Sequence, residues 1–335
     1  MADIRNQNPV KKTVKDPIKK SVIPRSIGVY SFLWLAAINL LLFAAWRGIP
    51  ESFFPFHRDS LLGFSVITLL RFSLCLFAPF LFFTFREKLS SKSFFGKNPG
   101  IGWFLLSVLL GVPSAFLLTA LHNLLLRAFL LNGISVPFPS YFFSPTHIND
   151  TPALFLFVIA GVLLPILSSE IFFRGILLPI FPTKNKGILN ILLTALVFSI
   201  FMQSPIDLIP LFLFGIVLGV IRKTSNHVLC SIVTFFSTIS TILLLQGVFP
   251  FLPYATSRAD MEAASTLFSH SLIAIGGAFL LFLILFSQCR RNVIEEKKIN
   301  RIRGTSDVEY SESTPLWPLL FGFLFLLSVW VFFYN

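Results

Sequence analysis

Charge is what this chain most lacks. Charged residues make up 13% of its 335 positions, and acids are the scarcer sign, with 15 Asp and Glu against 27 Lys and Arg. A soluble domain carries about a quarter charged residues, so this shortage excludes one. The three cysteines, Cys75, Cys230 and Cys289, are too few and too scattered for a disulfide framework or a zinc knuckle. Also absent are an HExxH helix, a GxSxG elbow, a Walker A loop and a second acid deep in an apolar run that could form a carboxylate dyad. The scarcity of buried acids also argues against a proton- or ion-coupled transporter or permease. No internal repeat is visible.

What is present is oil. Hydrophobic residues make up 55% of the chain, and the mean hydropathy is +0.81. Apolar windows long enough to cross a bilayer fall at 28–46, 61–85, 101–131, 152–182, 187–204, 207–221, 228–249, 270–288 and 316–334. Only helices or closed barrels satisfy a backbone in lipid, so the expected class is all-α, a polytopic membrane bundle. About eight core helices are expected, plus a C-terminal span. Counting Lys and Arg in the first tail and in successive loops gives 7, 2, 4, 0, 2, 0, 2, 1, 6 and 0. The alternation puts the N-terminus in the cytoplasm and the C-terminus outside. It also explains the net charge of +12 without nucleic acid as a partner. The pattern suits a bacterial inner membrane.

The chain divides accordingly. Residues 1–27 read as a basic cytoplasmic tail at anionic headgroups, not as a cleaved leader. Residues 28–288 are the transmembrane helical domain, 289–315 a charged cytoplasmic linker, and 316–335 a last span that looks like an appendage. Residues 132–151 read as an outer loop. The 42 phenylalanines read as lipid-facing filler, and Cys75 and Cys230 as small apolar packing residues within spans.

Within 152–182 only Glu170 and Arg174 ionise. Their spacing puts them on one helix face, acid before base. Buried membrane charges mark functional sites, yet an ion pair can equally lock helices together, and composition leaves both readings open. Pro165, Pro179 and Pro182 offer places to bend or stop this window, with one crossing expected to end near Gly175 and a half-buried stretch to run on to Phe181. Phe198 and Met202 read as packing. Gly215 and Gly219 form a small-xxx-small pair for close helix approach. Ser231, Thr234, Thr238 and Thr241 make a hydroxyl stripe that bonds its own carbonyls, bonds a neighbouring helix, or lines a polar cavity. His122, with Asn123 and Arg127, is a candidate proton acceptor or ligand without an evident tie to Glu170. Arg71 is a second buried cation without an evident partner. One of Arg71 and Arg127 is expected to meet carbonyls or snorkel. His227 reads as a solvated residue at the cytoplasmic mouth.

The stretch Ser169-Glu170-Ile-Phe-Phe-Arg174-Gly175 resembles the EExxxRG motif of the CPBP family, the CAAX-processing and bacteriocin-processing membrane proteases also called the abortive-infection family. Phe198–Met202 falls where that family has FxxxH. Gly215–Thr224 resembles its glycine-rich span and basic turn, and Thr234 to Thr238 occupies the register of HxxxN or HxxxD. The resemblance covers about residues 150–245. It implies a site sunk in the membrane where the first Glu and first His activate a water against a peptide bond, with the later His and Asn or Asp holding the oxyanion. This chain has Ser169, Met202, Thr234 and Thr238 at those four positions, and keeps Glu170 and Arg174. Neither Ser169 nor Met202 can act as a base at neutral pH, and zinc needs about three N, O or S ligands. The expectation is therefore a degenerate member, a pseudoprotease without cofactor that binds membrane lipid and a lipidated or membrane-embedded protein partner. The alternative is an active endopeptidase with a rebuilt site, Glu170 as base and His122 as imidazole, where zinc would again become possible.

Overall fold

In hydrocarbon a backbone amide has no partner except its own chain, so each apolar run winds into a helix. The computed structural model describes residues 25–53, 61–86, 95–96, 99–134, 151–180, 187–202, 206–247, 267–303 and 317–334. Helix α1 is Arg25–Gly48. Helix α2 runs through Leu61–Phe72, a π-helical stretch Ser73–Phe77, and Ala78–Arg86. Helix α3 is Ile101–Leu131. Helix α4 joins Thr151–Phe157, the π-helical Val158–Leu163, Leu164–Glu170, the π-helical Ile171–Leu177, and Leu178–Ile180. There follow α5, Gly187–Met202; α6, Leu208–Ser225; α7, Val228–Gly247; α8, Leu267–Arg303; and α9, Trp317–Tyr334. Seven helices among the described residues are long and apolar enough to cross a membrane, beside the shorter apolar Ile188–Met202 and Leu320–Val329. The chain is an all-α, polytopic integral membrane protein.

Three sequence expectations meet the structure here. The α4 crossing ends at Leu177, near Gly175 as expected, and the helix runs on through the half-buried Leu178 and Pro179 to Ile180. Its prolines are accommodated by a shared device. Each π-helical stretch stops two residues before a proline: Phe77 before Pro79, Leu163 before Pro165, Leu177 before Pro179. A proline ring clashes with the carbonyl four residues back and lacks the N–H to bond it. A widened turn relieves both problems, and the helix continues. Second, α8 carries the chain to Arg303, well into the expected linker. Third, the last span is no appendage. Helix α9 packs on α1 and α5, where Gly322 lets the Phe32 ring lie against its backbone and Phe323 meets Phe32 edge-on at 5.4 Å. Residues 1–24 of the basic tail, 135–150 of the outer loop and 304–315 of the linker lie outside the described residues.

Around α4, the most buried of the candidate spans, lie α1, α2, α5, α6 and α7. On the other side of α7 stand α3 and α8. Glycine fixes two of these seams. A Cβ at Gly215 would stand 2.9 Å from the Ala195 Cβ, and one at Gly219 would stand 2.8 Å from the Ile191 Cγ2. The small pair read from the sequence therefore brings α6 against α5. Gly111 does the same between α3 and Ser237 of α7. Phenylalanine is not only lipid filler: Phe82, Phe85, Phe155 and Phe279 are exposed, but Phe72, Phe172, Phe173, Phe198, Phe201, Phe214 and Phe235 are buried in one core. Cys75 and Cys230 are buried free thiols, packed as expected.

Candidate functional site

The site forms where α4 turns its only two charges inward. Glu170 and Arg174, one turn apart, meet at 3.0 Å between Oε1 and Nη1, with at most 1% of either side chain exposed. Arg174 Nη2 donates to the Gly215 carbonyl of α6 at 3.2 Å. Its guanidinium lies 4.6 Å from the Phe198 ring centre of α5, a cation–π contact strengthened by desolvation. The geometry of the ion contact falls outside that of a hydrogen bond, so both Glu170 oxygens keep unfilled acceptor capacity. Ser231 of α7 faces the carboxylate, but its one hydroxyl proton goes to the Val228 carbonyl at 2.8 Å. Four helices thus converge on the pair.

The other motif positions are packed and satisfied. Ser169 is fully buried and donates to the Ile166 carbonyl at 3.2 Å. Met202 is buried in the phenylalanine core. Phe173 and Phe198 meet edge-on at 5.4 Å, and Phe198 meets Phe235 at 6.2 Å. The Thr234 hydroxyl lies between the Cys230 carbonyl at 2.9 Å and the Ser107 carbonyl of α3 at 3.0 Å. Thr238 donates to the Thr234 carbonyl and Thr241 to the Ser237 carbonyl, each at 2.8 Å. The hydroxyl stripe therefore serves backbone carbonyls of its own and a neighbouring helix, the first two of the uses expected for it.

These residues do not fit a zinc ion. The hydroxyls are committed to carbonyls, Met202 offers a thioether, and Glu170 faces a guanidinium, so three suitable ligands cannot be assembled. Among the described residues no three His, Cys, Asp or Glu side chains come together as a metal site.

His122 belongs elsewhere. Its Nδ1 lies 2.6 Å from Asp207 Oδ1 at the start of α6. Ser107 marks the level of the Glu170 site on α3, through Thr234 and Ser231. His122 stands fifteen residues further along the same helix, about 22 Å at helical rise. It cannot supply an imidazole to Glu170, and the rebuilt site is not formed. Sequence reasoning missed Asp207 as the partner, because an acid at a helix start reads as an N-cap. It makes no side-chain cap here.

Arg71 meets carbonyls, as one of the two loose cations was expected to. Its Nε donates to Asn39 Oδ1 of α1 at 2.9 Å, and Nη2 donates to the Phe201 carbonyl near the end of α5. Arg127 lies over the Phe268 ring of α8 at 4.8 Å.

His227, expected at the solvated mouth, is buried. It lies between α6 and α7, after Asn226 in the left-handed conformation, and its Nδ1 accepts the Leu229 N–H at 2.9 Å as a cap on α7. Burial, then the nearby Arg222 charge, holds its pKa below the usual histidine range. The unfolded chain therefore binds a proton more readily than the folded one. This contribution is present above the unfolded value of about pH 6.5 and is lost as pH falls from there through the lower folded value. Between about pH 6.5 and 5 the unfolding temperature in detergent is expected to fall more for the native chain than for His227→Asn, which keeps a capping acceptor but cannot be protonated. Parallel pH curves for the two would remove His227 as the cause.

Compared with known families, residues 151–238 match the model described as type II CAAX prenyl endopeptidase Rce1-like. No curated protein and no solved structure matched. The matched segment holds α4, α5 and α6 whole and about the first half of α7, the four helices that close on Glu170 and Arg174. Over that segment the chain is similar to the CAAX-endopeptidase type of the CPBP family.

Proposed function

We propose that this protein keeps the helical frame of a CPBP endopeptidase without its water-activating chemistry, and uses that frame to hold a lipid-modified or membrane-embedded protein partner. One observation carries the reading. The positions where the family holds its first Glu, first His and oxyanion pair are Ser169, Met202, Thr234 and Thr238. All four are buried, and the three hydroxyls donate to backbone carbonyls. None of these four side chains can take a proton from an attacking water at neutral pH. What remains, Glu170 with Arg174, orders α4 against α5 and α6. The alternating basic loops suit a bacterial inner membrane with the N-terminus inside and the C-terminus outside.

The test is direct. Purified full-length protein in lipid nanodiscs is incubated with prenylated CAAX peptides and with secreted-peptide precursors, and products are read by mass spectrometry. No cleavage above buffer is expected. Cleavage that disappears in Glu170→Gln would overturn the proposal.

A further inference from the structure

Arg71 presents an uncompensated charge. It lies near the middle of α2, half-buried, and among the described residues no carboxylate pairs with it. Its partners are neutral: the Asn39 side-chain oxygen, the Phe201 carbonyl, and the Phe201 ring at 4.3 Å from the guanidinium carbon. The Phe201 carbonyl is one of the last four of α5, which lack helical partners and carry the partial negative charge of the helix end. That offsets about half a charge and leaves the rest unmatched.

A second group beside it points the same way. A guanidinium can only donate, so Asn39 must present its oxygen to Arg71, which fixes the amide's orientation. The Asn39 nitrogen is therefore held beside the guanidinium, and it is buried without an acceptor. Asn39 itself is 2% exposed. A buried amide donor without a partner costs the full desolvation of that group, and a cation in a membrane span normally finds a counter-charge. One acceptor-only anion would satisfy both groups.

We propose that Arg71 and Asn39 form a carboxylate-binding site between α1 and α2. The planar guanidinium fork matches a carboxylate's two oxygens. A carboxylate on an apolar body can be drawn to mid-span, whereas a phosphate headgroup stays at the interface. The site adjoins the family motif positions. Phe201 precedes Met202, and its ring lies 5.7 Å from Phe72 and 5.9 Å from Phe173. The carboxylate belongs to a long-chain acid of the lipid or to the C-terminus of an apolar peptide. The inference holds whether or not the chain cleaves peptides, so failure of one reading leaves the other standing.

Full-length protein in nanodiscs is titrated with tetradecanoic acid and with its methyl ester. In a second arm it is titrated with a short apolar peptide and with that peptide's C-terminal amide. Binding is read as Kd and as unfolding temperature. At least one free acid is expected to bind and raise the unfolding temperature, while its neutral analogue does neither. Binding of the fatty acid alone assigns a lipid source, and of the peptide alone a protein source. Asn39→Asp places a carboxylate of the chain's own beside Arg71. It is expected to fold at a higher temperature and to weaken acid binding about tenfold or more. Arg71→Gln should weaken binding as much, and Asn39→Asp keeps the test decisive if Arg71→Gln fails to fold. Equal binding of acid and neutral analogue, unchanged binding in Asn39→Asp, or no acid binding to the folded native chain would overturn the proposal.

Discussion

Glu170→Ala is expected to destabilise the protein by about 3–5 kcal/mol, because it leaves the Arg174 guanidinium buried without its counter-charge. The geometry supports a value in this range. Both side chains are essentially inaccessible, and among the described residues the only other polar partner of Arg174 is the Gly215 carbonyl at 3.2 Å. The same substitution in an exposed pair would cost about 0–1 kcal/mol. Equilibrium unfolding in mixed micelles would measure it. The double variant Glu170→Met with Arg174→Met should recover most of the loss, since apolar replacement of a whole buried pair is often neutral or stabilising. Recovery would show that the pair serves specificity of packing. A double variant as damaged as the single one would mean that some other group depends on one of the charges. A Glu170→Ala variant of native stability would overturn the account of the pair.

The stability measurement bears on function as well. In a working protease the acid at this motif would be tuned for chemistry, and its removal would cost rate more than stability. Here the unfilled acceptor capacity of the Glu170 oxygens leaves room for a donor from a bound partner. That donor would arrive in a site already organised by Arg174, Phe198 and Gly215. On the proposed reading the frame is retained while Ser169, Met202, Thr234 and Thr238 serve as packing.

Much of this was legible in the sequence. Hydrocarbon length and the scarcity of charge impose helices, so the windows matched the observed helices closely. The spacing of Glu170 and Arg174 fixed a shared face, and Gly215 with Gly219 foretold the seam with α5. The order of weak motifs pointed to the family although no single motif did. What stayed hidden depends on groups that side-chain patterns do not encode. Arg71 donates to a backbone carbonyl at a helix end, which any residue could have supplied. His122 and Asp207 are joined only once α3 and α6 cross. The prolines looked like stops because sequence gives no sign that the preceding turn will widen. The phenylalanines looked like filler because composition cannot tell a lipid-facing ring from one packed against a guanidinium.

Gly215→Ala is expected to cost about 1–3 kcal/mol, and more than Gly219→Ala. Both additions meet α5, but the obstacles differ. At Gly215 the new methyl would stand 2.9 Å from the Ala195 Cβ and 3.0 Å from its Cα, atoms that cannot move without the helix. At Gly219 the nearest atom is the Ile191 branch methyl Cγ2 at 2.8 Å, and the next nearest atoms stand at 3.5 Å with no main-chain atom of α5 among them. Displacing α6 at Gly215 would also draw its carbonyl away from Arg174, to which it is hydrogen-bonded at 3.2 Å, and would shift Phe198, 3.4 Å from the added methyl. Ala195→Gly removes the Cβ in the way and should restore a good part of the loss in the double variant, by more than the sum of the single effects allows. Ala195→Gly should do nothing for Gly219→Ala, which meets a different residue. Unfolding of the five variants against the native chain would measure this. Equal losses at the two glycines, or no rescue by Ala195→Gly, would show that the α5–α6 seam yields as a whole and does not position Arg174.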